Sequence, residues 1–429
     1  MSFLKQIGAM VAGFALLSAG AAFGEAAGDG ADPETITYRI YVDADQTVAA
    51  EAGRAIEMGL RAALSDLDPK SIIPGKKVAI EVAVRDHRTN VFRSKLHMDE
   101  FLADPRGLVF FGGVHSPQLI RYREYLNENG VLTLVPWAAG APVTRAPTEE
   151  NWIFRLSVDD RKAGVEIARY AVLDRGCEDV HLLLTDNPWG KSNARTLSAG
   201  LELYDRHPTS LHWMPWQADL KMLRQIVSRL RTTSADCLIA VGDSVQAKSL
   251  IDALLELPRD TRPSVLSHWG ITTSDFPFQA PASYRDAVGL KFVQSCHDLF
   301  ADTPEHHRAL ASLKKLGGGA HWAGPEIPAP PGFVHAYDLT KLLLAAMRQA
   351  RLTGEVRADR AAIRAALQKL DAPVLGLIKT YRRPFEPYSP DKPDAHEALG
   401  LSEMCMAQYD VDNVVRVDLR AFANQEPRP

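Results

Sequence analysis

The sequence has only four cysteines in 429 residues, and none of them forms a CxxC pair. Cys177, Cys237, Cys296 and Cys405 lie far apart, so metal binding through cysteine is not expected. The net charge of −4 is small and gives no reason to expect nucleic acid or an anionic membrane surface as a partner. No repeat of the solenoid type is visible. What remains is an ordinary globular protein that is long enough for two domains.

The sequence also lacks the familiar motifs of nucleophilic, metal-dependent and phosphate-binding enzymes. GxSxG, HExxH and GxxxxGK are all absent. The tripeptide 242–244 matches the G-D-S of SGNH hydrolases, but 394–396 has the wrong spacing for the D-x-x-H that accompanies it. We therefore expect no enzyme activity, no cofactor and no metal. An SGNH-like hydrolase is kept as a remote alternative.

Long apolar runs are scarce, and the one that stands out lies at the N-terminus. Lys5 is the only charged residue before the apolar stretch 7–23, and both 22–24 and 24–26 are small-x-small cleavage sites. This pattern predicts a secretory signal peptide over residues 1–24 and a periplasmic location. An uncleaved anchor is the alternative, although the stretch is short and rich in Gly and Ala. No cysteine lies near the cleavage region, so a lipid anchor is not expected.

Strand-like apolar runs alternate with helical stripes along the rest of the chain. Examples are the alternating strand 36–42, the helical stripe between Ala52 and Leu67, and the buried strand 180–184. The alternation predicts an α/β fold with parallel sheets and helices on both faces. Cys177 and Cys237 lie near the starts of two strands of one predicted lobe. A disulfide there would suit an oxidising compartment, but the sequence alone leaves it open.

The stretch 110–160 is the best-defined part of this pattern. An apolar run ends at Gly112, a helix follows with Ser116 as its N-cap and Pro117 at its first position, and a second run leads into the turn 136–140. In a parallel sheet both loops emerge at the carboxyl edge, where open α/β sheets bind small molecules. We therefore expect one cleft to be faced by six loops, 43–47, 112–116, 136–140, 185–192, 242–244 and 267–270.

This stretch resembles the substrate-binding proteins of branched-chain amino acid ABC transporters, the leucine-binding protein-like group of type I periplasmic binding proteins. The resemblance rests on its G-x-x-S helix start, P-x-A-A loop and F-R-x-S-x-D segment, with W-G at 189–190 and A-Y-D at 336–338 in the same order. It covers about residues 36–419. It implies two doubly wound parallel-sheet lobes joined by a multi-strand hinge, a Venus-flytrap fold. The expected lobes are N-terminal, 36–154 and 288–360, and C-terminal, 155–287 and 361–420.

The resemblance implies an extracytoplasmic solute-binding protein. Such a protein captures a small polar ligand in the cleft between its lobes and delivers it to an ABC permease. The implied partners are the small molecule and the permease and ATPase subunits, and the implied state is a monomer. A sensory protein that presents its ligand to a membrane histidine kinase would have the same fold and pocket, and it is the alternative function.

The resemblance also indicates where the ligand is held. In that family the Ser of the helix start and the Ala-Ala loop hold the ligand's carboxylate, and an aromatic at the position of Trp189 covers the ligand. Trp137 and Trp269 fall in predicted cleft loops, where tryptophan can stack on a planar ligand. Helix capping and core packing are the plainer roles of these residue types. The candidate ligand-binding residues are Asp45, His115, Ser116, Trp137, Ala138, Ala139, Gly140, Trp189, Asp243, His268 and Trp269.

One departure from the family pattern concerns the ligand itself. Amino-acid binders of the family commonly hold the ligand's ammonium with an acidic residue in the loop corresponding to 267–270, where this chain has His268 and Trp269. Asp43, Asp45 and Asp243 are the available substitutes. The sequence therefore predicts an amino acid, an amide or a small carboxylate-like compound with a flat or apolar part. Leucine, isoleucine and valine are expected to bind weakly.

Overall fold

The computed structural model describes residues 35–145, 148, 150–216, 218–230, 236–317 and 327–418. The expected signal peptide at 1–24 lies outside these residues and stays a prediction. Within the described part of the chain, no helix combines the length and the apolar character that a membrane span requires.

The first sheet has five parallel strands, β1 (Thr35–Ala44), β2 (Lys77–Asp86), β3 (Gly107–Gly112), β4 (Thr133–Val135) and β5 (Ile153–Arg155). Their order is β2-β1-β3-β4-β5. Three helices connect them, α1 (Ala50–Leu64), α2 (Val91–Ala103) and α3 (Ser116–Glu128). Side chains of β1 alternate between two cores, because Ile40 packs with α1 whereas Tyr41 packs with α2 and α3. Helices therefore cover both faces.

The second sheet begins with five parallel strands, β6 (Val180–Thr185), β7 (Ser210–Met214), β8 (Cys237–Val241), β9 (Ser264–Ser267) and β10 (Lys291–Ser295). Its helices are α4 (Asp160–Arg169), α5 (Pro188–Glu202), α6 (Leu220–Leu230), α7 (Ser244–Leu255), α8 (Phe276–Gln279) and α9 (Ala282–Ala287). Helices α4 and α5 pack in one core and α6 and α7 in another, again on both faces.

The remaining chain returns to the first sheet and then to the second. Helices α10 (Pro304–Lys315), α11 (Pro330–Gln349) and α12 (Val356–Leu367) pack on the first-sheet side, where α10 and α11 contact α1 and α12 contacts β3. A small two-stranded sheet follows, β11 (Val374–Leu375) and β12 (Thr380–Tyr381). Finally, β13 (Met404–Tyr409) and β14 (Val415–Val417) extend the second sheet antiparallel, giving the order β14-β13-β10-β9-β8-β6-β7. The expected two-lobed, doubly wound fold is confirmed.

Two expected lobe boundaries differ from the structure. Strand β10 pairs with β9 and β13, so the chain returns to the first sheet after Ser295 and not at residue 288. Helix α12 packs against α11 and β3, so first-lobe structure extends to Leu367 and does not end at residue 360. Both errors have the same cause. The sequence pattern of a short apolar strand or of an amphipathic helix does not indicate which of the two sheets the strand joins or the helix covers.

A buried ionic network joins the segments that cross between the lobes. The Arg155 side chain, which is fully buried, donates through Nη2 to Asp159 Oδ1 at 3.0 Å and to Glu397 Oε1 at 2.7 Å. Arg145 donates to both of these carboxylates, and Lys162 donates to Glu397. Burial alone would raise the pKa of Asp159, but the surrounding cations outweigh it and hold that pKa well below its usual range. Buried ion pairs therefore connect the crossing segments at the hinge.

Two disulfides lie within the second lobe and at its edge. Cys177 precedes β6 and bonds to Cys237 at the start of β8, as the sequence allowed. Cys296 follows β10 and bonds to Cys405 in β13, a pair that was not expected from the sequence. The bridges span 60 and 109 residues of sequence respectively. Long loops of this kind restrict the unfolded chain strongly, so both bridges are expected to stabilise the fold.

We predict that Cys296→Ser/Cys405→Ser lowers the free energy of unfolding by roughly 5 kcal/mol, and Cys177→Ser/Cys237→Ser by roughly 4 kcal/mol, since the cost grows with loop length. Urea unfolding of the oxidised protein and of each double variant measures this. Addition of a reductant should destabilise the parent and leave a variant that lacks both bridges unchanged. Equal stability of parent and variants would contradict a structural role for the bridges.

Candidate ligand-binding cleft

The start of α3 forms one wall of the space between the lobes. His115, not Ser116, is the N-cap residue, and Ser116 and Pro117 occupy the first two helical positions. The expectation that Ser116 caps the helix is therefore wrong by one position, because a Ser-Pro pair marks a helix start only approximately. The Ser116 hydroxyl oxygen instead accepts a hydrogen bond from Gly140 N–H at 3.0 Å. This bond ties α3 to the loop that follows β4.

A narrow cavity lies between the two sheets and is bordered by loops of both. From the first lobe it is lined by Val114, His115, Ser116, Pro117, Trp137 and Ala139. From the second lobe it is lined by Trp189, Trp216, Asp243, Trp269, Gly270 and Thr273. The space left between these side chains is about 20 Å³, little more than one water molecule needs. The lobes are therefore closed on each other.

Tryptophan dominates this cavity. Trp137 from the first lobe stacks on Trp269 from the second, with ring centroids 4.9 Å apart and planes inclined by 25°. Trp216 contacts His115 across the same gap at 5.2 Å in an edge-on arrangement. Gly270 lies so close to Trp189 that a Cβ atom there would come within 2.6 Å of the indole ring. Four of the seven tryptophans of the chain thus line one cavity.

Trp216 was not among the candidates from sequence. It follows β7, an edge strand whose residues are only half buried and which the apolar-run criterion did not detect. Without that strand, no cleft loop was expected near residue 216. The available signal in the sequence was the short alternation of polar and apolar residues over Ser210–Met214.

Asp160 is a second residue near the cavity that was not among the candidates from sequence. It is fully buried at the start of α4, and its Oδ1 accepts a hydrogen bond from Trp189 Nε1 at 3.1 Å. His268 Nε2 lies 3.2 Å from the same oxygen, and the His268 ring packs edge-on against Trp189. Among the described residues, Asp160 Oδ2 and both His268 ring nitrogens have no hydrogen-bond partner. A carboxylate with unused acceptor capacity therefore lies directly behind Trp189.

Asp45 and Asp243 were candidate anchors for a ligand cation, and both are engaged by the protein. Asp45 accepts from the N–H groups of Thr47 and Val48 and lies 3.2 Å from His115 Nε2. Burial would raise its pKa, but these partners lower it well below the usual range. Asp243 caps α7 in a reciprocal capping box with Gln246, and burial raises its pKa. Both oxygens of Asp45 are therefore engaged, whereas the capping bonds of Asp243 use only Oδ1, and its Oδ2 has no hydrogen-bond partner among the described residues.

Ser244 completes the G-D-S tripeptide that had suggested a hydrolase. Its hydroxyl hydrogen-bonds with the hydroxyls of Thr273 and Ser274, and it forms the first residue of α7. In the described ranges, no histidine hydrogen-bonds to this hydroxyl. The tripeptide is therefore accounted for by helix capping and by contact with the loop after β9.

The cavity brings together most of the candidate residues, although their role in binding stays a prediction. His115, Ser116, Trp137, Ala139, Trp189, Asp243 and Trp269 border it. The others lie behind this layer: Ala138 packs in the first-lobe core, Gly140 and His268 contact residues of the wall, and Asp45 supports His115. Val114 and Gly270 also border it and fall in expected cleft loops without having been candidates, whereas Pro117, Trp216 and Thr273 lie outside those loops.

A family model for periplasmic binding proteins matches residues 41–386. The chain belongs to the periplasmic binding protein family. Membership implies an extracytoplasmic location and supports a role in binding a solute. No sequence among curated proteins matches this chain significantly.

Solved structures share the fold at low sequence identity. A solute-binding protein of an ABC transporter from Rhodopseudomonas palustris HaA2, in complex with p-hydroxybenzoic acid, superposes with a TM-score of 0.69 at 18% identity, covering 89% of this chain and 95% of that one. A periplasmic binding protein type 1 from Bordetella pertussis Tohama I gives 0.70 at 16%, covering 89% and 99%. A leucine-binding protein from Thermotoga maritima gives 0.65 at 15%, covering 89% and 97%.

We predict that Ser116→Ala lowers the free energy of unfolding by about 1–3 kcal/mol without any ligand, because Gly140 N–H loses its acceptor in a buried setting. Ser192→Ala is the matched control, since Ser192 Oγ accepts a longer bond, 3.3 Å, from Ala141 N–H. Its effect should be smaller. Urea unfolding measures both. If Ser116→Ala is as stable as the parent, the bond to Gly140 is not the main structural task of Ser116.

Proposed function

We propose that the protein captures a small carboxylate with a flat ring, of the aromatic acid class, between its lobes and delivers it to an ABC permease. The observation that carries this is the set of four tryptophans around one cavity. Indole rings on both lobes offer faces and edges to a planar ligand, and each well-placed aromatic pair contributes about 0.5–1.5 kcal/mol beyond area burial. An aliphatic side chain would gain less from the same walls.

The start of α3 is suited to the ligand's carboxylate. His115 makes no side-chain capping bond there, so no side chain occupies the N–H groups of the first turn. The Ser116 hydroxyl accepts from Gly140 but keeps its own proton to donate. The positive end of the helix dipole adds to the attraction for an anion. One wall thus offers donors, and the opposite walls offer aromatic surface.

Two carboxylates could anchor an amino acid's ammonium, and neither is well suited to it. Asp243 borders the cavity, but it caps α7 and burial raises its pKa, which disfavours its charged form. Asp160 lies behind Trp189 and His268, and an ammonium would have to displace the Trp189 bond to reach it. An aromatic acid needs no such anchor. The R. palustris neighbour is described in complex with p-hydroxybenzoic acid and the T. maritima neighbour as a leucine-binding protein, so the shared fold itself favours neither class.

Delivery to a permease is one of two uses for such a protein. The family membership and the ABC-transporter neighbours favour transport, with permease and ATPase subunits as partners and a monomeric binding protein. A sensory protein that presents the same ligand to a membrane histidine kinase would need the same cleft. The sensory role therefore remains the second candidate, and a hydrolase has no remaining support from the G-D-S tripeptide.

A thermal-shift and calorimetric screen tests the ligand class. Benzoate and 4-hydroxybenzoate should raise the melting temperature by mass action, whereas leucine, isoleucine and valine should not. Trp216→Ala should weaken binding of the aromatic acid by about threefold to tenfold. Trp213→Ala is the matched control, because Trp213 is 39% exposed on β7 and does not border the cavity. A large shift with leucine and none with aromatic acids would overturn the proposed ligand.

Deletion of the gene separates transport from sensing. We expect the deletion to abolish high-affinity uptake of the radiolabelled ligand found in the screen, and a Trp216→Ala copy to restore less uptake than a Trp213→Ala copy at low ligand concentration. Unchanged uptake together with loss of a transcriptional response to the ligand would establish the sensory role instead.

A further inference from the structure

A second concavity lies between the lobes and shares no residue with the tryptophan-lined cavity. It is lined by Ala141, Pro142, Arg145, Arg161, Ser192, Arg195, Thr196 and Ala199. We call it the arginine groove. Its volume is about 370 Å³, far larger than the space left in the tryptophan-lined cavity. Three of its eight lining residues are arginines, and none is acidic.

Arg145 is the anchored arginine of this groove. Its Nη2 donates to Asp159 Oδ2 at 2.7 Å and to Glu397 Oε2 at 2.8 Å, and only 11% of its side chain is exposed. Two further nitrogens of the same guanidinium group, Nε and Nη1, have no acceptor among the described residues. The side chain is thus held in place by two carboxylates and still has donors to spare.

Arg161 and Arg195 are the exposed arginines of the groove. Arg161 lies in the first turn of α4 and Arg195 in the middle of α5. Within the described ranges, neither forms an ion pair. The two carboxylates that hold Arg145, Asp159 and Glu397, are already shared with Arg155 and Lys162. Two uncompensated guanidinium groups therefore face the same groove as Arg145.

We propose that the arginine groove binds a multivalent oxyanion of the phosphate or polycarboxylate class. Guanidinium groups pair with such oxygens through paired, charge-assisted hydrogen bonds, which a monovalent halide cannot reproduce. Ser192 and Thr196 add hydroxyl groups to the lining. The inference goes beyond the proposed capture of an aromatic acid, because it concerns a different site and a different ligand.

The groove also depends on closure of the lobes. Ala141, Pro142 and Arg145 lie between β4 and β5 of the first sheet, whereas the other lining residues belong to α4 and α5 of the second lobe. Ala141 N–H donates to Ser192 Oγ at 3.3 Å and so joins the two walls. An anion that contacts both walls binds the closed form better than the open form, and it must shift the population toward closure.

The test uses inorganic phosphate as the probe, with no aromatic acid present, so its outcome is independent of the proposed ligand. Phosphate is titrated at constant ionic strength into the mature protein, into Arg161→Gln/Arg195→Gln and into Arg54→Gln/Arg259→Gln. The last variant removes two exposed charges that do not line the groove and is the matched control. Calorimetry, thermal shift and small-angle scattering are read in parallel.

The parent and the control should bind phosphate with a rise in melting temperature, and the groove variant should bind it at least about tenfold more weakly. The radius of gyration of the parent should fall, or stay at its closed value, as phosphate is added. Absence of phosphate binding, or equal binding by both variants, overturns the site. Binding of an acidic peptide without binding of phosphate overturns it in favour of a protein-docking surface. Phosphate binding with an increased radius of gyration overturns the link to closure.

Discussion

The Arg155 guanidinium group holds the two lobes in register. Through Nη2 it bridges Asp159, which caps α4, and Glu397, which lies in the last crossing segment before β13. Backbone bonds between Arg155 and residues His396 and Ala398 run alongside. Removing either carboxylate would leave Arg145 and Arg155 to share the other one, and breaking a buried ion pair typically costs 3–5 kcal/mol. The Arg155 side chain thus connects two interlobe segments that are about 240 residues apart in sequence.

The same side chain reaches the ligand cleft. Arg155 Nη1 donates to the Gly140 carbonyl oxygen at 2.8 Å, and Gly140 N–H in turn donates to the Ser116 hydroxyl. The loop after β4 is therefore fixed at both its carbonyl and its amide side. A helix start can hold a carboxylate selectively only if its surroundings do not move, and this chain of bonds supplies that rigidity. The hinge and the first-lobe wall are consequently one structure.

The sequence predicted the layered fold well and the long-range chemistry poorly. Strands β1 and β6 were expected within about two residues, because apolar runs and alternation are local properties. The Glu397 partner of Arg155 and the Cys296–Cys405 bridge were not expected, since nothing local marks a pair separated by more than 100 residues. Trp216 was missed together with its edge strand, and Asp160 was noticed only as the last residue of the stretch 110–160. The sequence therefore predicted most helices and strands, but it did not predict which distant side chains pair with each other.

The stack of Trp137 on Trp269 determines what a ligand must do to enter. The two rings come from opposite lobes and leave almost no free space, so the closed form already has its own aromatic contact. A ligand shifts the lobes toward closure only by the difference between its affinities for the closed and open forms. A flat ring inserted between the indoles replaces one stacking contact with two. An aliphatic side chain would break the stack and return only dispersion contacts, so the proposed preference for planar ligands would follow from competition by the protein's own tryptophans.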